Sequence, residues 1–181
     1  MFEGIKKTYN NFKKKAVRFD KVRWIFRSSQ KDTQQMNDAE TFYENSLYLN
    51  KAIEKRAEVL SSIKLKAVDE DGEVVEGMQE LLDDPNDILS GRDFKQVIQT
   101  HYDLYGEFFI WKETKTDGSI RRLHILNPKR MEPQWGSDGT INGFKLKADD
   151  DKSAQTYDRE EIIWQHRPKD KDYKEAQSLV T

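Results

Sequence analysis

The segment Leu81-Leu82-Asp83-Asp84-Pro85-Asn86, followed by Ser90 and closed by Gly106, constrains this chain more than any other. Proline lacks an amide hydrogen and its ring clashes with the preceding residue, so no helix passes through Asp84-Pro85. The chain breaks there. Ser90 then offers a side-chain oxygen to the first free amides of a new helix, and Asp93 stands as the third residue of a capping box. Phe94, Val97, Ile98, His101, Tyr102 and Tyr105 follow at helical spacing. Gly106 supplies a left-handed stop, and the run Phe108 to Trp111 is too aromatic and too short for anything but a buried strand. Turn, capped helix and strand come in that order.

The flanks extend the pattern. Asn37 or Asp38 caps an earlier helix whose inner face is Phe42, Leu49, Ile53, Ala57 and Leu60. Ile63, Leu65 and Ala67 alternate with Lys64, Lys66 and Val68, the period of a half-buried strand, and Asp71-Gly72 turns that strand back. Beyond Phe108 the period stays near two. It is punctuated at Thr116-Asp117-Gly118, Asn127-Pro128, Gly136-Ser137-Asp138-Gly139 and Ala148 to Lys152, each a turn with Gly or Pro chemistry or high polarity. Short turns join antiparallel neighbours. The predicted class is α+β, with helices packed on an antiparallel β meander.

At 181 residues the chain supports one substantial core. Charged and hydrophobic residues each make up 35%, yet four Trp, seven Tyr and nine Phe are enough to build that core, which argues against disorder throughout. Cysteine is absent, so disulfides and thiolate metal sites are excluded and a reducing compartment is expected. No apolar run approaches membrane-span length, and the N-terminus lacks the apolar stretch of a signal peptide.

The net charge of −2 hides an asymmetry. Residues 1–31 hold ten Lys or Arg against Glu3 and Asp20, giving +8 and leaving −10 for the remainder. Phe2, Ile5, Tyr9, Phe12, Ala16 and Phe19 recur there at spacings of three and four, which predicts an amphipathic basic helix, with Val22 to Phe26 a short strand or anchor. The polar stretch from Arg27 to Asp38 reads as a linker. Lys6, Lys7, Lys13, Lys14, Lys15, Arg18 and Arg23 are the candidate contacts to an anionic partner, whether nucleic acid, lipid surface or acidic protein face. Trp24 and Phe26 are candidates for stacking on bases.

No enzyme signature emerges, and no cofactor or small-molecule substrate is expected. His101, His124 and His166 are far apart in sequence and lack zinc-site spacing; His101 reads as a hydrogen-bonded core residue and His166 as a structural or subunit-contact residue. Gly136 to Gly139 lacks the lysine and following helix of a nucleotide loop. Asp149-Asp150-Asp151 lacks the glycine and distal glutamate of a calcium loop, so it reads as a solvated turn.

In order, these pieces resemble the tailed-bacteriophage portal protein family, the ring-forming connectors between capsid and tail. The resemblance runs from Leu47 to Arg167. Leu47 to Leu60 and then Ile63 to Val68 correspond to a helix running into a strand, Asp71-Gly72 to a short hairpin, Leu81 to Asn86 to a Leu-Leu-x-x-Pro-Asn step, Phe94 to Tyr105 with Gly106 to a helix ended by glycine, and Phe108 to His166 to a meander. Leu123-x-x-Leu126-x-Pro128 and Asp158-x-x-Glu161-Ile162-Ile163-x-x-His166 are similar to later steps of the family's meander.

The resemblance implies a wing-like portion of a dodecameric ring, with other copies of the chain, major capsid protein, scaffold, terminase, head-completion proteins and viral double-stranded DNA as partners. It implies a place in the virion, and in host cytoplasm during assembly. The domain reading is a basic arm over 1–31, a wing-like domain over 38–168 and a polar tail over 169–181. The family's channel helix and clip are not found after His166, so the chain by itself is expected to be a monomer or weak oligomer. A peripheral nucleic-acid-binding or membrane-binding adaptor, working through the arm, is the alternative.

Overall fold

A computed structural model of the chain describes residues 33–148, 153–169, 172–176 and 178. Helices α1 (Thr33–Asn45), α2 (Leu47–Ser61), α3 (Glu76–Asp83) and α4 (Gly91–Tyr105) precede strands β1 (Glu107–Thr114), β2 (Ile120–Leu126), β3 (Met131–Trp135), β4 (Ile141–Leu146), β5 (Gln155–Asp158) and β6 (Ile162–His166). A hairpin of β7 (Pro168–Lys169) and β8 (Asp172–Ala176) follows, starting at the last residue of the wing-like reading and running into the segment read as a tail. The class is α+β with antiparallel sheets, as the sequence indicates.

The punctuation residues act as their chemistry requires. Ser90 Oγ accepts from Asp93 N at 3.2 Å and donates to the Asp93 carboxylate at 2.7 Å, so Asp93 answers the cap's hydroxyl and not, as the capping box would have it, its backbone amide. Gly106 ends α4 at φ 76°, a conformation in which a Cβ would crowd the backbone. Asp84-Pro85-Asn86 does more than break a helix. Asn86 Oδ1 accepts from the amides of Ile88 and Leu89, both at 3.0 Å, while its Nδ2 donates to Leu123 O at 2.8 Å. Leu123 N donates in turn to Pro85 O at 2.8 Å, stapling the turn to β2. Asn86→Ala should therefore destabilise the fold by about 1–3 kcal/mol, because a partly buried carbonyl and two amides lose their partner. Urea unfolding of the variant checks this, and an unchanged midpoint would refute it.

Strand order corrects the expectation of a single meander. The sheets are β2-β1-β6 and β3-β4-β5, both antiparallel, so β6 leaves its sequence neighbour and returns to pair with β1. The cause is burial on both sides of β1: Phe109 faces the second sheet, while Phe108 meets Tyr102 of α4 at 6.2 Å between ring centres. A strand covered on both faces belongs at the centre of its sheet, and β6 supplies the missing edge.

Two cores result. Phe109, Met131, Phe144, Tyr157 and Ile162 fill the space between the sheets, with Trp111 and Trp164 at its margin. Met36, Ile53, Leu104 and Tyr105 fill the helical core.

Three further readings need correction at the helical end. The helix expected from Asn37 or Asp38 already covers Thr33, because Met36 and Ala39 are buried against its neighbours, so 33–38 is not linker. It also divides at Ser46, whose extended backbone (φ −110°, ψ 101°) and side chain cap α2. Residues 63–68 are no half-buried strand. Ile63, Leu65 and Val68 are each about half exposed, the ladder is a lone Val68–Val74 bridge, and Leu60 is also exposed. Asp71-Gly72 does reverse the chain, with Gly72 at φ 84°.

Candidate interaction surfaces

Polar side chains join the two cores at their shared border. Tyr105 of α4 donates its hydroxyl to Glu40 of α1, and Lys129, in the 3-10 turn Pro128–Arg130 between β2 and β3, donates to Glu40 Oε2 at 2.5 Å and to Asn37 Oδ1 at 3.2 Å. One carboxylate thus binds three elements together. Burial and then the Glu40 contact push the Tyr105 hydroxyl far above its usual range. His101, one turn before Tyr105, meets that ring edge-on at 5.5 Å. Its Nδ1 is sealed from solvent without a hydrogen-bond partner, so the expected burial is there and the expected bond at that nitrogen is not. Burial lowers the His101 pKa to about 4, against a weaker opposing pull from Glu40.

A second polar group lies within the helical core. Asp103 is fully buried, with Gln99 Nε2 at 3.0 Å from Oδ1 and Arg56 Nε at 3.4 Å from Oδ2. That contact fixes α2 against α4. In the sheets, Trp164 Nε1 donates to the buried Glu107 carboxylate at 3.0 Å, and His166 stacks on Trp164 at 4.2 Å and 6° between planes. His124 stacks on Trp111 and contacts Glu113 Oε2 at 2.8 Å, which holds the Glu113 carboxyl below its usual pKa. Both histidine rings thus lie stacked on tryptophan. Among the described residues no group of three or more His, Asp or Glu is placed to hold a metal ion.

The exposed surface is more informative. Residues 62–78 leave the end of α2, reverse at Gly72 and re-enter as α3 with only Ala67 shielded from solvent among them. The excursion is tied down at few points. Lys95 Nζ donates to Ile63 O at 2.5 Å, while Gln79 accepts from Ala67 N at 3.1 Å and donates to Leu65 O at 3.3 Å. Its apolar residues Ile63, Leu65, Val68, Val74, Val75 and Met78 are therefore exposed close together in sequence, an arrangement typical of a contact surface.

The seven basic residues singled out in the sequence, Lys6, Lys7, Lys13, Lys14, Lys15, Arg18 and Arg23, lie outside the described residues. Sequence reading also passed over Glu40, Arg56, Asp103, Glu107 and Lys129. Only Glu107 carried a signal, a lone acid between a helix-stopping glycine and an aromatic strand; the others acquire their roles from residues far away in the chain.

Comparison with known proteins bears directly on this architecture. A family model described as phage portal protein matches residues 49–179. The chain belongs to the phage portal protein family. No curated protein matches it in sequence. Among solved structures, a chain of the "Neck of empty GTA particle computed with C6 symmetry" is similar with a TM-score of 0.74 at 17% identity, covering 84% of this chain and 41% of that one. A chain of the "Virion of native gene transfer agent (GTA) particle" gives 0.69 at 16% identity, over 84% and 40%. A third, from the "Neck of native GTA particle computed with C12 symmetry", gives 0.64 at 16%, over 78% and 38%. The chain thus spans about two fifths of the length of the solved structures it matches. The portal resemblance read from turn, cap and stop residues is borne out, as is the α+β class of helices with antiparallel sheets that it implied.

Proposed function

We propose that this chain is a structural part of a portal ring at the capsid vertex, forming the passage for DNA packaging and ejection and the site of tail attachment. The observation that carries this reading is the portal family match across 49–179, with the same fold in chains of symmetric particle necks. Copies of the chain are its principal partners, arranged as a dodecamer. Major capsid protein, scaffold, terminase, head-completion proteins and viral double-stranded DNA are the others. It works in the virion, after assembly in host cytoplasm, through contact surfaces and with no small-molecule substrate. Within it, 38–168 is the wing-like unit, 1–31 a basic arm and 169–181 a tail.

Electron microscopy of the complete gene product tests this: a ring with a central hole is expected, and a stable monomer at micromolar concentration would overturn it. For the arm, the +8 charge of residues 1–31 favours an anionic partner held through Lys6, Lys7, Lys13, Lys14, Lys15, Arg18 and Arg23.

A further inference from the structure

The acidity of this molecule is concentrated in one place. Residues 67–87 contain nine Asp or Glu and no Lys or Arg; with the arm at +8 and this run at −9, everything else together carries −1. Among the described residues the run makes one ion pair, Asp87 with Arg122 at 2.7 Å. Lys64 and Lys66 lie just upstream, alternating with Ile63 and Leu65. The same hairpin and α3 expose Ile63 (52%), Leu65 (49%), Val68 (52%), Val74 (50%), Val75 (39%) and Met78 (45%). Exposed apolar side chains interspersed with carboxylates that, Asp87 apart, make no ion pair among the described residues call for an occupant that is both apolar and cationic.

The chain itself carries such a segment. We propose that residues 1–26 dock on this hairpin and α3 in the same molecule, laying Phe2, Ile5, Tyr9, Phe12, Ala16 and Phe19 on its exposed apolar side chains. Lys6, Lys7, Lys13, Lys14 and Lys15 then meet Asp69, Glu70, Asp71, Glu73, Glu76 and Glu80. Reach permits this. Met36 shares a core with Ile53, so α1 begins beside the middle of α2, and Ile63 lies ten positions beyond Ile53, about 15 Å at helical rise. Residues 27–32 span up to about 20 Å when extended. The acidic face then occupies the lysines as a phosphate backbone would, so a polyanion and the hairpin compete for the arm.

This inference rests on the reading of the arm as an anion-contacting element and is independent of the ring. Amide hydrogen exchange on the full chain tests it, comparing wild type with a variant in which Lys6, Lys7, Lys13, Lys14 and Lys15 are all glutamine. At low salt the amides of 63–78 should exchange roughly tenfold faster in the variant, while those of α4 stay unchanged as a control for folding. Wild type should show the same acceleration near ~1 M salt, where the screening length falls to about 3 Å. Equal rates at 63–78 in the two proteins overturn the proposal, including where the variant loses affinity for DNA.

A mixed sample separates same-chain docking from exchange between copies. The chain has no cysteine, so Thr8→Cys gives a single spin-label site, mixed with unlabelled-site chains enriched in 15N. Broadening of the 63–78 amides in those partner chains would place the arm on a neighbouring copy and refute same-chain docking. Failure to find a ring by microscopy would leave all of these readouts intact.

Discussion

Phe109→Ala is expected to lower the unfolding free energy by about 3–5 kcal/mol, the largest effect of any single substitution in the described residues. Phe109 is fully buried on β1, the central strand of its sheet, where its ring meets Phe144 edge-on at 5.8 Å and stacks near Trp164 at 6.1 Å. Truncation removes transfer free energy and leaves a void that two sheets, each held by its own ladder, collapse into poorly. Domains of this size are stable by about 5–15 kcal/mol, so the loss is a large fraction of the whole. Urea titration followed by tryptophan fluorescence measures it, with Trp164 as a local reporter. A loss below about 1 kcal/mol would mean that the two sheets do not share the core described for them.

The second large effect concerns acid. His101 is held neutral by burial, with its pKa lowered from 6.5 to about 4 in the fold, whereas the unfolded chain takes up its proton near the usual value. Between those values the unfolded state binds more protons than the native one, so stability falls as pH drops from above 6.5 toward 4. The burial contribution is fully present above the unfolded pKa and is lost on approach to the folded one. The full drop from this residue is about 3 kcal/mol, set by the separation of the two pKa values. Denaturant unfolding at several pH values should show the slope in wild type. His101→Leu, which fills similar space without a titrating nitrogen, should flatten it. Equal slopes in the two proteins would show that His101 is not the group responsible.

Much of this architecture could be read from local chemistry. Ser90, Pro85, Gly106, Gly118 and Gly139 act within a few residues of themselves, and each performs the turn, cap or stop that its side chain or its lack of one requires. Phe109 and Ile110 are buried because no exposed strand carries such a run. What was illegible depends on distant partners. The return of β6 to β1 follows from α4 and the second sheet covering opposite faces of β1, which no window of sequence contains. Ser46 divides two helices that read as one, since helix-forming residues on both sides mask a single extended residue.

The 63–68 alternation was visible and its environment was not. Period two reports that one side of a segment differs from the other, and it is silent on what each side faces. At the candidate contacts the same limit holds: Glu40 and Lys129 are 89 residues apart, and neither stands out until the fold brings them together.

Tyr105 ends a helix, Glu107 begins a strand, and only Gly106 stands between them, with its carbonyl held by the Arg167 amide at 2.7 Å just past β6. A joint one residue long, pinned from the far strand, has almost no slack. The end of α4 and the start of β1 are thereby held in one fixed relation, like the two arms of a bell crank.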